Sequence, residues 1–155
     1  MSDSQLKQQL RADMIIALKA RDDVRVRTVR MVIAAISEAE VAGKQATELT
    51  DAQVLDVLVR ETKKRREAER EFDAAGRTEL ADKERQEAAV LADYLPAQLS
   101  AEEITAIVAD AIASTDSAGK GMRAMGPVMG IVTPATKGKA DGSVVAAEVK
   151  RQLAG

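Results

Sequence analysis

The run TKGKADG, Thr136 to Gly142, places Lys137 and Lys139 on either side of Gly138. Gly138 and Gly142 both permit left-handed backbone, so a turn here can expose main-chain N–H groups. Such donors beside two lysines, just ahead of a helix start, suit a phosphate. Between Ser117 and Ala140 the charged residues are Lys120, Arg123, Lys137 and Lys139, with no acid among them. The same pattern also suits an ordinary capped loop, and the residues alone leave both readings open.

Upstream, Gly126 and Gly130 lie four apart. On a helix that spacing leaves a bare strip of backbone, which admits close approach by a neighbouring helix or by a ligand. Close packing is the commoner cause. Met122, Met125 and Met129 share one helical spacing and read as core. Pro127 lacks an N–H, which is harmless only in a helix's first turn, so the helix should begin or kink near Gly126.

Two other basic groups read as structural. Arg60, Lys63, Lys64, Arg65 and Arg66 are interleaved with Glu61, Glu67, Glu69 and Glu71, the pattern of a solvated helix with pairs such as Glu61 with Arg65. Arg27 and Arg30, three apart, could grip a phosphate but are better suited to pairing with Glu84 or Glu87.

Catalytic machinery is not legible. Histidine and cysteine are both absent, which removes the commonest general base and the usual zinc and thiolate chemistry. No nucleophile–base set, phosphate-binding glycine motif or metal-ligand cluster stands out. The expectation is therefore no catalytic residue, no metal and no cofactor.

The elements that position these residues follow from composition and periodicity. The 155-residue chain is 46% hydrophobic, yet only Phe72 and Tyr94 are aromatic. A core of Ala, Val, Leu, Ile and Met favours packed helices over a sheet sandwich. Four helices are expected first. One follows a Ser2–Gln5 capping box, and a second is capped by Asp22 or Asp23 and ends at Gly43. A third follows a Thr50–Gln53 box, and a fourth returns from Thr78 to about Tyr94 with Leu80, Ala88, Leu91 and Leu95 inward. The third and fourth form a long αα-hairpin closed at Gly76. Pro96 marks a boundary between residues 1–95 and 96–155. Three shorter helices then follow: one behind a Ser100–Glu103 box, one through Met125–Val132, and one capped by Ser143 with Val144, Val145 and Val149 inward. No apolar run is long enough to cross a membrane and the N-terminus lacks a signal-peptide pattern, so a cytoplasmic protein is expected. Net charge is −2, but six bases and two acids from Gly119 onward make that segment +4, which hints at an anionic partner.

The stretches VRTVRMVIAAISEAEVAGK, ETKKRREAEREFDAAGRTELADKE, VLADYLPAQLSAEEI and MGPVMGIVTPATKGKADG resemble the YqeY family over nearly the whole chain. That family is similar to the tail domain of the tRNA-dependent amidotransferase. The resemblance implies an all-α protein, with an N-terminal four-helix subdomain and a C-terminal three-helix subdomain. It also implies tRNA or other structured RNA as partner, since the amidotransferase tail helps hold tRNA without housing the chemistry. The corresponding RNA-binding residues are Lys120, Arg123, Gly126, Gly130, Lys137, Gly138 and Lys139. Two further functions compete with this one. The first is a module docking on an amidotransferase-like or tRNA-processing protein through the hairpin Arg60–Arg77. The second, by family association only, is carbon–nitrogen ligase activity with glutamine as amido donor.

Overall fold

A computed structural model describes residues 4–155. It contains seven α-helices and no strand among those residues. They are α1 (Gln5–Lys19), α2 (Asp23–Val41), α3 (Asp51–Ala74), α4 (Thr78–Ala92), α5 (Ala101–Ser114), α6 (Met125–Thr136) and α7 (Gly142–Ala154). A 3-10 turn, Gly121–Ala124, leads into α6. Residue contacts divide the chain into two compact units, the first ending at Leu95 and the second comprising Pro96–Gly155.

Side-chain caps start most of the helices. Thr50 and Ser100 each close a reciprocal capping box, with Gln53 and Glu103, which satisfies two otherwise orphaned N–H groups at each start. Asp22 caps α2. Ser2 lies outside the described residues, and the cap of α1 is Ser4, which accepts from the Lys7 N–H. Gly76, at φ +72°, stops α3 in the left-handed conformation that a helix end of this kind requires.

In the first unit Leu10, Val29, Val32, Ile36, Leu58 and Leu91 are fully buried. Leu80, expected inward on α4, is 38% exposed, and Ala81 is buried in its place. The hairpin's register turns the smaller side chain inward and the larger one toward solvent.

The charged faces of α2, α3 and α4 are less solvated than their composition implies. Arg65, Glu61 and Glu87 are buried. Arg65 Nη1 donates to Glu61 Oε2 at 3.0 Å, and its Nε lies 3.3 Å from Glu87 Oε2, an ion-pair distance without hydrogen-bond alignment. Arg27 Nε donates to Glu87 Oε1 at 3.1 Å. Burying one charge is costly, so each needs its partner in place. Both expected pairings, Glu61 with Arg65 and Arg27 with Glu87, are present, but the first is interior and not a solvated surface pair. Tyr94, the one aromatic in this core, donates its hydroxyl to Asp13 at 2.6 Å.

In the second unit Val108, Val128, Val132, Val145 and Val149 pack α5, α6 and α7 together. Val144 is half exposed, and the buried stripe of α7 is Val145, Val149 and Leu153. Glu148 ties α7 to α5. It accepts from Arg151 Nε at 2.9 Å, Gln152 Nε2 at 2.8 Å and Thr105 Oγ1 at 3.1 Å. These donors, Arg151 foremost, hold its carboxyl down at about 2.

Arg65→Met should destabilise the first unit by about 3 kcal/mol, because two buried carboxylates lose their shared cation while Arg27 and Lys64 still reach one each. Urea denaturation measures it, and a loss under about 1 kcal/mol would show that the interior ion pairs are dispensable. Because the folded Glu148 pKa is depressed, its contribution is complete above its ordinary value of 4.5 and is lost as pH falls toward about 2. Glu148→Gln should therefore narrow the gap between urea midpoints at neutral and acid pH.

Candidate nucleic-acid interface

The TKGKADG run folds into a tight turn. Lys137 has φ −56° and ψ 124°, and Gly138 has φ +75°. These are the central angles of a type II β-turn, which needs a left-handed residue third. The Thr136 carbonyl accepts from the N–H of Lys139 at 2.9 Å and of Ala140 at 3.1 Å. Those two main-chain donors are thereby committed inside the protein. The carbonyl of Gly138 accepts from Gln98 Nε2 at 2.9 Å, and that of Lys139 from the Leu99 N–H at 2.8 Å. Gly138 is buried, whereas Lys137 and Lys139 are exposed.

The start of α7 is occupied as well. Asp141 caps it, its Oδ1 accepting from the Ser143 N–H at 2.9 Å and the Ser143 hydroxyl at 2.8 Å. Ser143 is thus the donor to the cap and not the cap itself. Gly142 is the first helical residue and carries no positive φ. A phosphate cradle of turn N–H groups and a helix N-terminus, as expected from sequence, does not form here. The chain's own carboxylate fills the helix start and would repel a second anion.

The glycines of α6 lie differently from expectation. The helix runs from Met125 to Thr136 and so continues past Val132 through Pro134. Pro127 falls in the first turn, where its missing N–H is harmless. Val128, Val132 and Thr136 face the core, with Met125 and Met129 packed at its edge, but Met122 is 57% exposed. Gly126 and Gly130 are exposed, and a methyl group added to either would meet nothing within 4 Å. Close helix packing is therefore not the reason for glycine at either position. One turn beyond Gly130 stands Pro134, also exposed, which lacks the N–H that would bond the Gly130 carbonyl. The outward face of α6 carries bare backbone at Gly126 and Gly130, the rings of Pro127 and Pro134, and the side chain of Ile131, 43% exposed. Pro134 carries no weight in the sequence reading, although its i, i+4 spacing from Gly130 was the available signal.

The basic residues bracket this strip and do not form one cluster. Lys120 and Arg123 precede α6 and Lys137 and Lys139 follow it, so the two pairs are separated by a helix of roughly 18 Å. Arg123 and Lys139 are exposed; Lys120 lies 3.8 Å from Asp116. No acid occurs on α6. The positive balance of the last segment is local, since Pro96–Gly155 holds six basic and six acidic residues. Four of those acids lie on or just after α5, at Glu102, Glu103, Asp110 and Asp116. Among the described residues no group of acidic side chains is placed to hold a metal, and no helix is long and apolar enough to cross a membrane.

Alanine at Gly126 and Gly130 should stabilise the protein, by about 1 kcal/mol per site, since exposed helix glycines are disfavoured and both positions have room. Thermal denaturation of the double variant measures this; a fall in melting temperature would mean that the strip has an internal packing role.

Compared with known proteins, residues 7–153 match the family model described as Yqey-like protein. No curated protein matches the chain.

Proposed function

This chain belongs to the YqeY family, and from that premise we propose that it is a non-catalytic RNA-binding accessory protein whose partner is tRNA or another structured RNA. Its two units serve as a four-helix subdomain carrying the long α3–α4 hairpin and a three-helix subdomain carrying the RNA contact, and its place of action is the cytoplasm. The observation that carries this reading is the open face of α6: Gly126 and Gly130, without neighbours, between Arg123 at one end and Lys139 at the other. Two exposed glycines cost the isolated helix stability without improving its packing. An external ligand that must approach the backbone closely accounts for that cost. A nucleic-acid backbone does so, with its phosphates drawn to the flanking cations. The unit has no aromatic residue, so recognition rests on phosphates and shape, not on base stacking. The resemblance to the amidotransferase tail supports the same surface. Lys137 and Lys139 then act as side-chain cations held by a rigid turn, with Gly138 as the buried residue that shapes it.

In a mobility-shift titration at low salt, bulk tRNA should be retarded, and added salt should weaken the complex steeply. Arg123→Glu with Lys139→Glu should abolish the shift. Gly130→Leu should weaken it by about tenfold while leaving the fold intact, because the added side chain occupies the approach and not the core. An unshifted tRNA with the unsubstituted protein, or a shift indifferent to all these changes, removes the proposal. Glutamine-dependent transamidation by the pure protein would overturn the non-catalytic reading.

A further inference from the structure

Arg65 is buried, and its donors are unequally met. Nη1 donates to Glu61 Oε2 at 3.0 Å. Nη2 reaches from α3 to α2 and donates to Met31 Sδ at 3.6 Å. Nε lies 3.3 Å from Glu87 Oε2 and 4.0 Å from Glu84 Oε2 but makes no hydrogen bond. Among the described residues, then, Nη1 alone of the three nitrogens is hydrogen-bonded to oxygen. A thioether sulfur is a weak acceptor, and a buried cation with poorly met donors is costly. A stronger acceptor beside Nη2 would therefore add stability.

Met31 is 40% exposed, so its side chain meets solvent as well as Arg65. Among the described residues Met31 and Met122 are the exposed methionines. Met14 packs against the core of the first unit, and Met125 and Met129 against that of the second. An oxygen added to a packed methionine puts a polar group among aliphatic side chains. An oxygen added to Met31 meets a guanidinium instead. The sulfur–oxygen bond of a sulfoxide is polar, with its negative end on oxygen, so that oxygen pairs with Arg65 through a charge-assisted hydrogen bond. With the sulfur already at 3.6 Å, an oxygen bonded to it on that side comes within the usual range of about 2.9 Å without moving either helix. The unbranched side chain turns readily enough to present it.

We propose that Met31 is a reversible oxidation site for a hydroperoxide, and that its sulfoxide is captured by Arg65, so that oxidation tightens the contact between α2 and α3. In this step a sulfur lone pair attacks the terminal oxygen of the peroxide. The O–O bond breaks as the S–O bond forms. The leaving oxygen takes the proton of the transferred one and departs as water or an alcohol. Sulfur gives up two electrons and the peroxide accepts them. A methionine sulfoxide reductase restores the thioether. The direction is opposite to the usual result of methionine oxidation, which disrupts packing.

The test treats the full chain with hydrogen peroxide and maps the added oxygen by peptide mass. Met31 should gain one oxygen, as should Met122, and methionine sulfoxide reductase should remove it. Amide hydrogen exchange along α2 and α3 should slow by about threefold in the oxidised protein, and the Arg65 Nη resonances should shift. Met31→Leu, oxidised in the same way at its other methionines, should show neither change. Met31→Gln offers an amide oxygen to the same guanidinium and should slow exchange without peroxide. Unchanged or faster exchange in the oxidised protein overturns the proposal. So does slowing that persists in Met31→Leu, or a Met31 that stays unoxidised while Met122 takes up oxygen.

Discussion

The second unit depends on the positive φ of Gly138. A side chain at that position disfavours the left-handed conformation, so glycine makes the type II turn inexpensive. Once the turn forms, the Thr136 carbonyl takes the N–H groups of Lys139 and Ala140, and the carbonyls of Gly138 and Lys139 face Gln98 and Leu99. The segment leading into α5 is thereby clipped to the α6–α7 connection. The same turn leaves Asp141 where its carboxylate can cap α7. It also leaves both lysines outside, as charged tips on a fixed support.

That arrangement separates two ways of attracting an anion. A nest of free main-chain N–H groups would bind phosphate by short directed hydrogen bonds. Here the turn's donors at Lys139 and Ala140 are used internally, and what remains is side-chain charge on either side of an uncovered helix. Such a surface favours an extended polyanion over a single phosphate, because its cations are spread along α6. Pro134 strengthens the distinction: it leaves the Gly130 carbonyl without its helical donor on the exposed side.

Interior ion pairs give the first unit a different character. Beside its aliphatic core, long charged side chains at Glu61, Arg65 and Glu87 are buried. Arg65 exemplifies this: its neighbours in sequence are solvated charges, but it reaches across to α4 as well as back to Glu61. The outer face of α1 shows the opposite case, with aliphatic side chains that no helix of the unit covers.

Much of the secondary structure was legible in the residues. The Thr50–Gln53 and Ser100–Glu103 boxes and the stop at Gly76 are local devices, whose chemistry acts within a few positions of chain. Membership of the YqeY family was legible too, from stretches spread over the sequence. What periodicity could not decide was which side of a short apolar helix faces inward. The glycines of α6 read as a packing strip, and Leu80 and Val144 read as core, because spacing identifies a face without identifying its neighbour. Nor could spacing show that Asp141, and not Ser143, caps α7, since each is a capping residue type just ahead of the same apolar run. By itself, then, the sequence determined which segments are helical, where α3 and α5 begin, where α3 stops, and that the helices pack through aliphatic side chains. Only the tertiary structure decided that Gly126 and Gly130 look outward and that Arg65 and Glu87 look inward. Local propensity is a property of neighbouring residues, whereas burial depends on which distant helix supplies the opposing surface.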